Sequence, residues 1–520
     1  MIRQYDQLFF DTYFIQYIKR LGFTETFMKK IRRLRNKEID IFTIPENITH
    51  LQISIHHIVD YSQRGVKIPG SLKYLELDDH LHCNNFLVEM IPDSVKILIL
   101  NHNYNKPIEK YPKLLESITF GWVFNQSIDN LPNSVKDIIF GYNFNQAIDY
   151  LPCSVKNVIF GRQFDSRIDN LPNSITHLTF GDDFDQPIDY LPNSITNLTL
   201  GHQFSRRIDH LPTSITHLTL GVWFTQSIDH LPNSIIRLKL RSHFDQPIDH
   251  LPNSIKNLIL GNYFNQPIDC LPNSITYLKL GDSFNRPIDH LPTSITRLTF
   301  GYHFDKPIDH LPNSITVLRL GYYFNQPIDY LPNSVTQLTL GARFDQAIDH
   351  LPTSITRLTL GFDFNHSIGH LPAAITHLTL GYEFKQPIDY LPNSITHLTL
   401  GHHFDQPIDH LPNSVTHLTL GSRFDQPINH LPNSITHLAL GDKFIRQLES
   451  LPPNLTSLSF GDYYNEILPD LPDSIVSLKL GFNFNQEIKR WPKSLAKLTI
   501  GNHFKRKLLV NINKAVQVNY

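Results

Sequence analysis

From Ile91 to Val510 one pattern of apolar and polar positions recurs every twenty residues, twenty-one times without insertion. Taking the residue before the first proline as position 1, the unit reads L-P-N-S-I-T-x-L-T-L-G-x-x-F-N-Q-P-I-D-x. Positions 5, 8 and 10 are aliphatic or Phe in nearly every unit, as in Val415, Leu418 and Leu420, and positions 7 and 9 are mostly polar. Side chains along a strand alternate between faces, so this half of the unit predicts a β-strand buried on one side. Strands at a fixed spacing, each stacked on its predecessor, run parallel, and the rest of each unit carries the chain back. Proline stands at position 2 in every unit and often at 17, and glycine is usual at 11, which leaves no room for a crossover helix. Stacked prolines offer no N–H, so the return arc forms no second sheet. The expected fold is a β-rich repeat solenoid with a single parallel β-sheet and irregular return arcs, extended or in short 3₁₀ turns.

The constant positions say how such a coil holds together. Positions 1, 5, 8, 10, 14 and 18 are apolar, and burying them in one isolated unit does not offset the entropy of ordering twenty residues. Stacking is therefore obligatory, with the aromatics of position 14, from Phe124 to Phe504 with Tyr464 once, as a continuous spine. Glycine at position 11 gives way only to Asn101 and Arg241, which predicts a backbone angle or close approach that a Cβ hinders. Asparagine and serine at positions 3 and 4 are expected to bond the backbone of the turn into the strand. Aspartate at position 19, unbroken from Asp129 to Asp349, is read as a turn-capping acceptor.

Two looser copies, "IPENITHLQIS" from Ile44 and "IPGSLKYLEL" from Ile68, extend the array backwards. The domain reading is thus a solenoid over residues 44–510, a separate segment 1–43, and a C-terminal edge at 511–520. A length of 520 residues would otherwise suggest several domains; the repeat replaces that expectation. Lys plus Arg (46) nearly equals Asp plus Glu (48), so no chain-wide attraction to nucleic acid or an anionic membrane is expected, and a polyanion would need a local patch. Cys83, Cys153 and Cys270 are too scattered for a disulfide framework or a zinc site, which fits an intracellular, cytoplasmic protein. No window approaches the ~20 apolar residues of a membrane span.

The unit "FNQPIDHLPNSITHLTLG" resembles the FNIP repeat, named for its Phe-Asn, Ile and Pro and regarded as a short relative of the leucine-rich repeat. The resemblance covers most of the chain and rests on a long phrase repeated throughout. It implies a leucine-rich-repeat-like protein-binding solenoid of the kind found in social amoebae and in large viruses of amoebae, whose place would then be the host cell cytoplasm. In the similar twenty-residue repeats of bacterial effectors an asparagine at position 13 ladders the backbone; here position 13 varies and the aromatic of position 14 takes the inward place. Some family members carry an N-terminal F-box that joins a ubiquitin ligase.

Residues 1–43 read as helical: "YDQLFFDTYFIQYIKRL" is apolar on most turns, and Phe27, Ile31 and Leu34 make a second stripe beside a basic cluster. A short α-helical cap on the first coil is one reading; a small module gripping a ubiquitin-ligase adaptor, which would make the protein a substrate-recognition subunit, is the alternative, and a basic localisation or nucleic-acid patch is a third. The 28 histidines invite a metal or catalytic reading. Most fall in the repeat phase, and no Ser-His-Asp set, phosphate-cradling loop or Walker motif emerges, so neither an enzyme nor a cofactor or metal site is expected.

Variation marks the candidate binding surface. In leucine-rich repeats the residues flanking the inward strand positions line a concave face, which here means positions 7, 9 and 12, with 13 beside them. His377, His397, His417 and His437 occupy position 7 in four consecutive units, and Tyr382, His402, His403 and Arg423 add a loop column on the same units. Trp223 and Tyr322 are further aromatic members of positions 13 and 12. Protein partners on the concave face, acidic or mixed in charge, are the expectation.

Overall fold

The computed structural model describes residues 49–53, 68–77, 91–100, 102–501 and 516–519. The segment 1–43, whether cap or adaptor module, lies outside the described residues, as do Cys83 and most of the first looser copy. The chain divides into two compact units, Met1–Arg241 and Ser242–Tyr520, and the boundary coincides with one of the two departures from glycine at position 11.

Each unit is a parallel β-solenoid with one three-residue strand per regular coil. In the first, strands His50–Ile53 and Tyr74–Leu77 are followed by one strand per coil from Ile97–Ile99 to Arg237–Lys239. In the second they run from Asn257–Ile259 to Lys497–Thr499, and Gln517–Asn519 adds a final parallel edge. Pairing is strictly in register: Leu398 faces Leu418, and His397 faces His417. Among the described residues there is no helix, neither α nor 3₁₀; the return arc is made of turns and extended chain.

The strand is shorter than the apolar spacing suggested, occupying positions 7–9 alone. Just before it a tight turn closes, Val415 N–H donating to Pro412 O at 3.1 Å, so the buried residue of position 5 belongs to the turn. All six apolar positions are nonetheless buried: in one coil Leu411, Val415, Leu418, Leu420, Phe424 and Ile428 are at most 8 % exposed. Phe404 and Phe424 stack with centroids 6.3 Å apart and planes 2° from parallel, one step of the aromatic spine.

Backbone bonds tie a coil to its neighbours beyond the strand. Thr416 and His417 N–H both donate to Thr396 O, Leu400 N–H donates forward to Thr419 O at 2.8 Å, and Arg423 N–H donates to His402 O at 3.0 Å. Two side-chain ladders add to these. Ser414 Oγ at position 4 donates to Ile395 O of the preceding coil at 2.6 Å, and the same bond recurs from Ser394 and Ser434. The serine therefore bonds across coils and not into its own turn, while the neighbouring asparagine of position 3 points to solvent. At position 15 the backbone N–H of each coil donates to the Oδ1 one coil back, as from Asn285 to Asn265 (3.0 Å), Asp305 to Asn285 (3.1 Å) and Asn325 to Asp305 (2.9 Å). The side-chain ladder along the backbone thus runs at position 15, next to the inward aromatic of position 14, and not at position 13.

Glycine at position 11 answers a close approach. A Cβ on Gly401 would stand 1.8 Å from Gly381 O, and those along the column meet the same contact. The position-19 aspartates do not cap turns as a class. Asp129 accepts from Ser127 Oγ at 2.7 Å, but Asp249, Asp269, Asp289, Asp309, Asp329 and Asp349 are exposed and without a hydrogen-bond or ion-pair partner among the described residues.

Candidate interaction face

Because position 8 is buried under every strand, positions 7 and 9 stand on the opposite, solvent side. In-register pairing then places residues of the same position directly over one another. His377, His397, His417 and His437 form a column with ring centroids 4.2, 4.1 and 4.1 Å apart and planes within 12° of parallel. Each imidazole is held by the threonine before it. Thr396 Oγ1 lies 3.1 Å from Thr376 O and 2.9 Å from His397 Nδ1. A carbonyl only accepts, so the hydroxyl proton goes to Thr376 O and the hydroxyl oxygen accepts from Nδ1–H. The same pair of contacts holds His377, His417 and His437, which leaves four Nε2 atoms in a row as acceptors.

The surroundings make His377, His397 and His417 hard to charge. His377 is pushed below the ordinary histidine value by burial first and then by the Arg357 guanidinium. Burial also lowers His397 and His417, followed by their imidazole neighbours, His377 and His437 respectively. Parallel rings aim their lone pairs side by side and not at a common point, a poor shell for a metal ion. Among the described residues no group of three or more His, Cys, Asp or Glu is placed to hold one.

The loop column stacks on the same coils. Phe362, Tyr382 and His402 at position 12 lie ring on ring at 4.3 Å per step, within 8° of parallel. His403 packs obliquely against Tyr382 at 5.0 Å, with Glu383 at 3.7 Å and Arg423 Nη1 3.5 Å from its Nδ1. Burial first, then Arg423 and His402, lower its pKa against the opposing pull of Glu383. The histidine and loop columns thus bring together eight of the sequence-derived candidates. Tyr322 stacks instead on Tyr302 at 4.4 Å, cut off from Phe362 in the position-12 column by Ala342. Trp223 is exposed and belongs to the first unit, whereas the histidine column belongs to the second. Sequence reasoning passed over Phe362, whose signal was present as an aromatic at position 12; Arg357 belongs to the variable position-7 residues the sequence marks, one coil before His377.

The FNIP Repeat model matches overlapping stretches of the chain from residue 84 to 222 and from 224 to 503. The chain belongs to the FNIP repeat family. The FNIP coils are similar to a solved structure, CroV588, described as a novel circular LRR protein, with 40 % identity, a TM-score of 0.75, and coverage of 91 % of this chain and 76 % of that one. YopM from Yersinia enterocolitica WA-314 aligns at 18 % identity and a TM-score of 0.34 over 91 % of each chain. The Toll–Spatzle complex of Drosophila aligns at 14 % identity and 0.45 over 90 % of this chain and 65 % of that one. No curated protein matches the chain. The FNIP array is a solenoid of the leucine-rich-repeat type, and among the described residues no helix is long and apolar enough to cross a membrane.

Proposed function

We propose that this FNIP protein is a non-enzymatic interaction scaffold that receives an acidic or mixed protein surface on its strand face, over the coils that carry His377 to His437 and Tyr382 to Arg423. The observation that carries the reading is the pair of stacked columns. Both are rigid, because every ring is clamped by its neighbour or by a threonine hydroxyl, so binding orders few side chains. Four Nε2 acceptors in a row can take hydrogen bonds from a partner's backbone or side chains at neutral pH and become donors when protonated. Free, exposed Cys153 and Cys270 support a reducing, intracellular setting. The ligase-adaptor alternative depends on residues 1–43 and draws no support from the coils.

Selection of binders from a random-peptide display library against the full chain tests the reading. His397→Ala with His417→Ala should weaken the selected binders at least about tenfold, as expected from losing two good contacts, whereas Gln406→Ala with Gln426→Ala on the return arc should leave them unchanged. Loss with the glutamine pair and retention with the histidine pair would move recognition to the return arc.

A further inference from the structure

A net charge of −2 conceals a separation of charge between two faces of the second unit. On the thirteen strands from Asn257–Ile259 to Lys497–Thr499, positions 7 and 9 contain no Asp or Glu at all. They carry Lys279, Arg297, Arg319, Arg357, Lys479 and Lys497, every one exposed, and among the described residues none of the six makes an ion pair. Arg297 alone leans on a ring, its guanidinium carbon 5.8 Å from the centre of Tyr277. Carboxylates collect on the return arc, where the partnerless aspartates from Asp249 to Asp349 stand in six consecutive coils. Cations of the arc and its turns are often already neutralised, Arg446 by Asp425 and Arg490 by Asp473. Solvated charges under no constraint would mix signs everywhere; here one sign is excluded from positions 7 and 9.

We propose that the strand face of the second unit is a docking strip for an extended acidic segment of a partner protein, rich in Asp or Glu, running across the coils from Lys279 through Arg357 onto the histidine column. This rests on the reading of the strand face as the recognition surface and adds the chemistry of what it recognises. Unpaired cations attract the segment, and the acidic arc repels it from the opposite face, so the field selects the face before any contact forms. Threonine hydroxyls and the His Nε2 acceptors then serve the peptide groups of the bound chain.

Two observations favour a peptide over a single-stranded nucleic acid. Bases need free aromatic faces to stack on, and here the rings of both columns already cover one another's faces, leaving edges. After Arg357 the next cation at positions 7 and 9 is Lys479, six coils on, and the Nε2 acceptors between them suit the N–H donors of a peptide, which a phosphate backbone lacks.

The test uses the full chain and three defined probes at low ionic strength: a fluorescein-labelled peptide of alternating glutamate and serine, its glutamine–serine counterpart, and labelled oligothymidine of the same length. The acidic peptide should bind and the neutral one should not. Arg297→Ser with Arg319→Ser and Arg357→Ser should weaken the acidic peptide about tenfold, and an equal charge change on the return arc, Arg286→Ser with Lys306→Ser and Lys489→Ser, less than about twofold. Lysine at the same three strand positions should restore binding, which separates charge from folding. Equal loss from both triples, tighter binding of oligothymidine than of the acidic peptide, or no binding by the unaltered chain would each overturn the proposal. If the acidic peptide ignores the strand triple while display-selected binders still need His397 and His417, this inference fails and the scaffold reading stands. If those binders depend on Gln406 and Gln426 and not on the histidines, the strand-face reading itself fails and recognition moves to the return arc.

Discussion

Replacing Gly401 by alanine puts the close-packing of coils to a direct test. The added Cβ would lie 1.8 Å from Gly381 O, where contacts under 3.0 Å are essentially never seen, so the two backbones must part by about 1.2 Å. Little nearby can yield. Leu380 N–H donates to Thr399 O and His403 N–H to Tyr382 O, both at 2.9 Å, while Gly381 O itself accepts from Phe384 N–H at 3.3 Å. Straining one or two such bonds costs about 1 kcal/mol each, and overpacking adds about 1–3 kcal/mol, giving roughly 3 kcal/mol in all. A repeat array can lose coils piecemeal, so a single unfolding midpoint is insufficient. Urea denaturation followed by circular dichroism should be paired with hydrogen exchange across the coils on either side of residue 401. Gly369→Ala is the internal control, since its Cβ would meet only Ser367 Oγ at 3.7 Å, and its effect should stay within about 0.5 kcal/mol. Wild-type exchange and midpoint in Gly401→Ala, or equal damage from Gly369→Ala, would refute the close-approach account of the glycine column.

Other expectations follow from the ladders and the histidines. Ser414→Ala removes the Oγ donor to Ile395 O and should cost about 1 kcal/mol, read as a lower urea midpoint, with Asn413→Ala next to it nearly silent. Ile445 is exposed and has no oxygen to offer the next coil at position 15, so Ile445→Asn should raise stability by about 0.5–1 kcal/mol; a loss would show that the ladder there does not extend to Asn465. The lowered values of His377, His397 and His417 mean that the unfolded chain takes up protons first as pH falls. Stability should therefore decline from about pH 6.5 downward, the ordinary histidine value, until these three rings protonate in the folded chain as well. Melting scans between pH 7.5 and 5 should show that decline, and His397→Gln with His417→Gln should flatten it; a steeper slope in the variant would contradict it. An acidic ligand should bind more tightly over the same acid range, below pH 6.5 and not at neutrality, because Arg357 and the neighbouring imidazoles oppose charging until an anion compensates them.

Much of the fold was legible in the sequence because its determinants are local and repeated. Proline at position 2 rules out a helix by its own covalent geometry, and the six apolar positions are buried wherever the coil is built, so Val415 and Phe424 could be assigned to the core from the pattern alone. Glycine at position 11 announced a close approach without saying to what. The partners, by contrast, lie twenty residues away and depend on how one coil is seated on the next. No periodicity distinguishes a serine that bonds its own turn from Ser414, which reaches Ile395 O, or shows that the amide ladder sits at position 15 and not 13. Nor does composition tell that Asp249 and Arg297 face apart. In-register parallel stacking decides that, because burial of position 8 sends 7 and 9 to one side and the return arc to the other, giving the second unit of a nearly neutral chain two faces of opposite sign.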